Sequence, residues 1–455
     1  MLGAIFERFV EESPISVMVR GLMEQVLAPS KINQIFETNA QTQYTRELLF
    51  SSVVDLMSLV VCGIHPSVNA AYRAKAQQLN VSRTAVYDKL NRVDTSVSAA
   101  IVRETGMSMA SLIELIGGQS PSLLAPYKIR VIDGNCLEGT DHRLEVLRKI
   151  GAVALPGKSL VILDPELRLA INVFPCEDGH AQERSLFNQV LPTVNAGELW
   201  IGDRCMCTLG FLFGVTKRGS NFVIREHKSM PQEVVSTLRR KGKTETGELF
   251  EQMVRLNYEG ESVLIRRILL KLFKPTRNGE SEIAILTMLP VGEAKTEIVA
   301  SLYRGRRSVE NLFQDVTQNY ECEIQTLGYP KAALFSFCLA LVTYNILATV
   351  RAVLASVHGV GKVEAGLSDY YMAEEIQGTY RGMMIAIPPE NWSIFAELNQ
   401  QQLASVLLDL AARVRLSSFL KQPRAPKKKK DPPICDPRHR HVATARLLAD
   451  AKKSP

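Results

Sequence analysis

The sequence lacks a cysteine framework. Its eight cysteines, at 62, 136, 176, 205, 207, 322, 338 and 435, are scattered, which excludes a small disulfide-stapled secreted fold and fits a reducing, cytosolic setting. Cys205-Met-Cys207 is too tight for a zinc knuckle, and Cys435, His439 and His441 offer only part of a metal site within a Pro- and Lys-rich tail. No basic start with an apolar core opens the chain; Glu7, Glu11 and Glu12 stand there instead, so no secretory signal is expected. One run, Ala332–Val350, is free of charge over 19 residues, the lower edge for a membrane span. Ser336, Thr343, Tyr344 and Asn345 interrupt it. A buried core helix is expected, and no membrane partner.

General basicity is also lacking. The formal net charge is +7, yet the residues from Lys421 onward carry 11 basic and 3 acidic side chains, so residues 1–420, with 43 basic and 44 acidic, sum to −1. A second basic zone, Lys217–Arg277, has 14 basic against 7 acidic residues. Positive zones placed on a neutral body suit an anionic polymer bound along part of the surface. At 455 residues, 46% hydrophobic and 22% charged, the chain is globular, with room for two to four domains.

Residues 1–125 read as helical. Within them 71–93, AYRAKAQQLNVSRTAVYDKLNRV, runs as helix, short turn at Leu79-Asn80-Val81, and a second helix N-capped by Ser82. Leu79, Val81, Val86 and Leu90 would bury, leaving Arg83, Thr84, Tyr87 and Asn91 outward. That is the pattern of a helix-turn-helix with its second helix free to enter a major groove, although an ordinary helical hairpin imitates it. After a Pro-containing linker, KIRVIDGN is a strand with Asp133 at its end. Ser159–Leu163 and Leu167–Phe174 form a hairpin around Asp164-Pro165-Glu166, Ala181–Val190 is a helix, and ELWIG is a strand that delivers Asp203. From Asn221 to Leu289 extended runs dominate. The organisation expected is therefore a helical region over 1–125 that is a candidate for reading DNA, a mixed-sheet domain split over 126–215 and 294–355, a β-rich insertion at 216–293, a helical region at 356–420, and a basic, disordered tail at 421–455.

Read as a helix, Ser301–Cys322 places Leu302, Val309, Leu312, Phe313 and Val316 on one buried arc, with Tyr303, Arg306 and Glu310 in a row on the flank. A solvated flank is the ordinary reading of such a row. Asp133 before Gly134 reads equally as a turn residue, and Asp203-Arg204 as a local ion pair. Asp164 is assigned to its turn. Glu138, Asp141 and His142, which follow Asp133, are second-shell groups or nothing. Two strand-end aspartates and a helical glutamate gathered on one sheet would repel. Divalent cations resolve that repulsion, and a pair of Mg²⁺ ions forms the clamp used for displacement at phosphorus.

Three pieces in order resemble bacterial insertion-sequence transposases of the DDE type, the family numbered four. IDGN around Asp133 is similar to that family's first-Asp strand and WIGDR around Asp203 to its second. YRGRRSVENLFQ is similar to its Tyr, Arg, Glu signature, and the likeness spans about Lys128 to Val353. The resemblance implies an α/β, RNase H-like mixed sheet carrying a β-rich insertion. It implies Asp133, Asp203 and Glu310 as catalytic residues and ligands of two Mg²⁺ ions, with Mn²⁺ a possible substitute. Tyr303, Arg306 and Arg307 would contact transposon-end phosphates, and Arg83 and Thr84 would read DNA from the helical region. It further implies Mg²⁺-dependent cleavage and strand transfer, with DNA ends, target DNA and a second copy of the chain as partners in the bacterial cytoplasm. Two departures stand out: Arg307 occupies a position where the family has Trp, and Thr317 one where it has Lys. Gln314, Arg307 and Lys331 are the residues that could replace that missing contact. Alternatives are an inactive or repurposed DNA-binding protein and a nuclease of the same fold without strand transfer.

Overall fold

The computed structural model describes residues 2–41, 47–276, 279–319, 324–422 and 441–453, with backbone alone for 315–319. Its strands are β1 (Lys128–Cys136), β2 (Val153–Leu155), β3 (Lys158–Asp164), β4 (Leu169–Cys176), β5 (Glu198–Gly202), β6 (Asn221–Arg225), β7 (Glu233–Val234), β8 (Arg239–Lys243), β9 (Gly247–Tyr258), β10 (Glu261–Leu272), β11 (Glu282–Thr287) and β12 (His441–Ala443). All but β2 and β12 join one sheet in the order β4-β3-β1-β5-β6-β11-β10-β9-β7, with β8 also paired to β9. β1, β3 and β4 pair antiparallel, while β1, β5 and β6 pair parallel. This is the mixed, RNase H-like α/β sheet expected.

The sheet is buried on both faces, so its strands alternate between two cores rather than between core and water. Ile129 and Val131 of β1, Leu199 and Ile201 of β5, and Val223 of β6 enter one core. Ile132, Trp200, Phe222 and Ile224 enter the other, with Phe187, Phe211 and Phe213. The first core is covered by the Thr95–Ile116 helix and by Pro330–His358. Pro330–His358 is 94% buried over its most apolar window, the core helix expected of a run broken by polar side chains. Its Asn345 holds both backbone groups of Ala170 on edge strand β4, accepting from N–H and donating to C=O at 2.8 Å each. That blunts one edge of the sheet.

Three sequence-based boundaries shift. First, the β-rich insertion is not a separate module: β6 belongs to the five-strand core, and β11 pairs with it antiparallel, so the block from β7 to β11 extends the same sheet. Second, the N-terminal and C-terminal helical regions form one body. Phe6 meets Trp392 edge-on at 4.9 Å between centroids, and Pro14–Val26 packs on the helices Asp369–Ala386, Pro389–Glu397 and Gln400–Arg413. Third, the tail is not structureless throughout. Residues 423–440 lie outside the described residues, with Cys435 and His439 among them, but His441–Ala443 pairs parallel with β2 and continues into the Thr444–Lys453 helix.

The helix-turn-helix pattern is observed where expected. Helices Val68–Leu79 and Arg83–Leu90 flank Asn80, which takes the left-handed conformation at φ 48°. Ser82 Oγ accepts from Ala85 N–H at 3.2 Å. Val86 and Leu90 are buried and Arg83 and Thr84 exposed, but Tyr87 is half-buried rather than outward.

Candidate metal and phosphate site

The parallel register of β1 and β5 builds the centre of the site. Ile132 lies opposite Gly202, so Asp133 and Asp203 follow at the same level on neighbouring strands. Both continue the parity of Val131 and Ile201, and therefore face the side covered by helices. Asp133 is not a strand-end residue as expected: β1 runs on to Cys136, paired with β3 alone beyond Ile132. Asp203 does end its strand. Its Oδ1 accepts from Cys205 N–H at 2.8 Å and caps the short turn Arg204–Met206.

The Ser301–Cys322 segment is not one helix. Thr296–Gly305 ends at a glycine, Arg306 forms a single-residue joint, and a second helix runs Arg307–Asn319. The joint is closed by short bonds, Arg306 N–H to Tyr303 C=O and Val309 N–H to Arg306 C=O, each 3.1 Å. Gly305 weakens the helix at that point, while Val299, Leu302, Val309 and Leu312 bury both halves in the core. The break turns the Arg306 guanidinium inward. Nη1 donates to Asp133 Oδ2 at 2.6 Å, and Nη2 pairs with Glu310 Oε1. Arg306 and Asp133 are about equally shielded, at 16% and 15% exposure, whereas Glu310 keeps 50%. The Tyr303 hydroxyl is flanked by Arg225 and Arg306, and burial raises its pKa. Arg307 is exposed. Thr317 lies on the second helix, its side chain outside the described residues. Lys331 pairs with Asp94 at 3.0 Å.

Reasoning from sequence missed Glu183. It opens the 3₁₀ turn Glu183–Leu186, which is anchored by buried Leu186 and followed by buried Phe187. Its carboxylate lies against the backbone beyond Asp133: a Cβ on Gly134 would sit 2.2 Å from Glu183 Oε1. Ligand atoms of Glu183, Asp203 and Cys205 all lie within 4.8 Å of one another. In sequence, Glu183 is only an acid in the first turn of an expected helix, which any helix tolerates.

The electrostatics record the crowding. Asp133 is pushed up to about 6, by burial first; Arg306 opposes this, and Asp203 and Glu183 add to it. Glu183 is raised by burial and then by Asp203. The Cys205 thiol, set between those two carboxylates, is pushed up to about 12, chiefly by burial. Glu183 Oε2 is shut off from solvent and has no hydrogen-bond partner. Several carboxylate oxygens gathered in one place, one of them buried without a donor, fit a hard divalent cation with oxygen ligands.

Around this acid centre stands a basic rim. Arg225 and Arg204 both lean on Glu280, at 2.6 and 3.4 Å, so the expected Asp203–Arg204 ion pair is replaced by a longer-range one. Glu138, Asp141 and His142 add nothing visible to the centre. His142 Nε2 bonds the Ala152 carbonyl at 2.8 Å, and Asp141 pairs with Arg143 at 3.1 Å. Asp164 is the turn residue expected, its Oδ1 accepting from Glu166 and Leu167 N–H at 3.0 Å each. Arg83 and Thr84 share no contact with the carboxylates among the described residues. Much of the 217–277 zone is neutralised internally: Lys217, Arg225, Arg240, Arg255, Arg266, Arg267 and Lys271 all have acidic partners. Its exposed cations concentrate on β8, at Arg239, Lys241 and Lys243.

No protein-family model and no curated protein matches the chain. Among solved structures, the chain is similar to a piggyBac transposase synaptic complex with hairpin DNA, at 10% identity over 95% of this chain and 89% of that one. The TM-score is 0.41, a likeness too distant to bear on the reading of the site.

Proposed function

We propose that this chain is a DNA transposase of the DDE type, similar to the bacterial insertion-sequence family numbered four. It would bind the terminal inverted repeats of its element and catalyse Mg²⁺-dependent cleavage and strand transfer. One observation carries the reading. Asp133, set level with Asp203 by the β1–β5 register, meets an Arg306–Glu310 pair delivered from a broken helix more than a hundred positions beyond Asp203.

Asp133, Asp203 and Glu310 would hold the divalent ions, which supply activation of the attacking oxygen and neutralisation of the leaving one. The remaining work falls to the chain's own side chains. Arg306 and Arg225, with the Tyr303 hydroxyl between them, form a donor group suited to a phosphodiester oxygen beside the carboxylates. Moving Arg306 from Asp133 onto phosphate would free Asp133 Oδ2 as a ligand. A water oxygen attacks phosphorus at the element's end, the P–O3′ ester bond breaks, and the 3′ oxygen leaves with a proton as hydroxyl. That hydroxyl then attacks a phosphodiester of target DNA and displaces its 3′ oxygen. Joining two ends calls for at least two copies of the chain on DNA. Arg83 and Thr84, exposed on the second helix of the pair, would read the ends in a major groove, and the exposed cations of β8 would hold backbone phosphate.

The experiment uses duplex DNA carrying the inverted repeats that flank the coding sequence. Wild-type protein with Mg²⁺ should free a 3′ end and yield joined products. Asp133→Ala should retain binding and lose cleavage, while Arg83→Ala with Thr84→Ala should weaken end binding by roughly ten- to a hundredfold. Cleavage that survives Asp133→Ala refutes the site. Cleavage without joined product would make the protein a nuclease of this fold.

A further inference from the structure

We propose that Glu183 is a fourth carboxylate ligand of the divalent cation held at Asp133 and Asp203, contributed from the loop after β4. The proposal rests on the metal-dependent reading above and adds to it a residue outside the Asp, Asp, Glu set.

The buried glutamates of this sheet provide the standard. Glu198 accepts from Arg130 on one oxygen at 2.9 Å, and from Trp200 Nε1 and Asn195 N–H on the other at 3.0 and 2.9 Å. Glu251 likewise has donors on both oxygens. Glu183, half-buried and bonded by the Cys205 thiol, does not: Oε2 is enclosed and unpartnered. Lys158, whose charge acts on Glu183, donates from Nζ to the Ala181 carbonyl rather than to the carboxylate. An enclosed carboxylate oxygen without a donor costs free energy, and a carboxylate oxygen of Glu183 lies within 4.8 Å of one of Asp203.

Three features hold Glu183 in that place. Leu186 and Phe187 anchor its turn in the second core. Gly134 leaves the volume its carboxylate fills, with Oε1 2.2 Å from where a Cβ would stand. The Cys205 thiol, on the turn capped by Asp203, completes the wall between the two acids. Glu310, half exposed and tied to Arg306, is less committed to the centre. A cation contacting Asp133, Asp203 and Glu183 would take all its protein ligands from β1, the end of β5 and one short turn packed on the sheet. It could therefore load without DNA, with Glu310 joining once Arg306 turns to phosphate.

The test is Mn²⁺ binding to the full-length protein without DNA, by calorimetry and by melting temperature in EDTA and in Mn²⁺. Wild type should bind Mn²⁺ and melt higher with it. Glu183→Gln should weaken Mn²⁺ binding by at least about tenfold and raise the melting temperature in EDTA, because a crowded charge is removed. Glu183→Asp, which keeps the charge on a shorter arm, should weaken binding to a smaller degree. If Asp203→Asn loses Mn²⁺ while Glu183→Gln binds it like wild type, Glu183 is no ligand and the metal-dependent reading stands. A lower melting temperature for Glu183→Gln in EDTA would mark a structural carboxylate and overturn the assignment. If wild type binds no Mn²⁺ at all, the metal-dependent reading falls and takes this proposal with it.

Discussion

Two groups of buried charge lie on one sheet and are built in opposite ways. In the insertion, Glu251 on β9 and Arg266 on β10 meet diagonally on one face of the strand pair, at 6% and 4% exposure. Arg266 donates twice to Glu251, at 3.1 and 3.0 Å, and from Nη1 to the carbonyls of Leu289 and Ala294 at 2.8 Å each. Thr296 adds a hydroxyl bond to Glu251 at 2.6 Å. These bonds hold the glutamate below its usual pKa against the effect of its own burial. At the junction of β1 and β5 four acids gather around few donors: Arg306 pairs with Asp133 and Glu310, Asp133 and Asp203 each accept a backbone N–H, and Glu183 Oε2 has no partner. There Asp133 and Glu183 are raised. A satisfied cluster fixes shape; an under-satisfied one stores a demand for a ligand. The second is therefore the one we propose as the functional site, although both look alike as lists of charged residues.

The largest effect that could break this contrast concerns Arg266. Arg266→Ala leaves Glu251 buried with one hydroxyl donor, and should cost about 3–5 kcal/mol in urea unfolding. A loss below about 1 kcal/mol would mean that the insertion cluster is no more structural than the carboxylate centre.

Much of this organisation was legible in the sequence. Alternation in KIRVIDGN and ELWIG marks two strands, with Asp203 at the end of β5 as expected, whereas Asp133 lies within β1, which runs on to Cys136. A 3.6-residue period marks the helix around Glu310. The break at Arg306 was not legible, because periodicity either side of Gly305 continues in phase and burial of Leu302 and Val309 satisfies both halves. Glu183 was missed because its role comes from the position of its turn against Gly134 rather than from its neighbours in the chain. The Glu251–Arg266 pair looked like part of a basic zone for the same reason: only the β9–β10 register brings those residues together. Ordering of His441–Lys453 was hidden by the polybasic run before it, which dominates local composition.

A middle-sized effect sharpens the contrast through pH. The folded-state pKa of Asp133, at about 6, exceeds its unfolded value near 3.9. In the window between them the folded protein binds more protons than the unfolded chain, so stability falls as pH rises from about 4 to 6. Arg306 opposes the shift, and Asp203 and Glu183 sustain it. Asp133→Asn, measured in EDTA, should flatten that decline and gain on the order of 2 kcal/mol at pH 7 relative to wild type. An unchanged pH slope would mean that Asp133 is adequately paired by Arg306, and the two clusters would then belong to one class.

The smallest effect asks whether the clusters are coupled. Thr296 begins the helix whose far end, Gly305, precedes Arg306, so one rigid element links the Glu251 network to the guanidinium at Asp133. Thr296→Val removes a single hydroxyl donor while keeping the shape, and Arg266 still supplies both Glu251 oxygens. The expected loss is about 1 kcal/mol of stability. Mn²⁺ affinity should be unchanged, because Asp133, Asp203 and Glu183 are set by β1, β5 and the turn after β4 rather than by this helix. A shift in Mn²⁺ affinity that parallels the stability loss would show the helix transmitting strain between the clusters. The insertion would then tune the carboxylate centre as well as shape it.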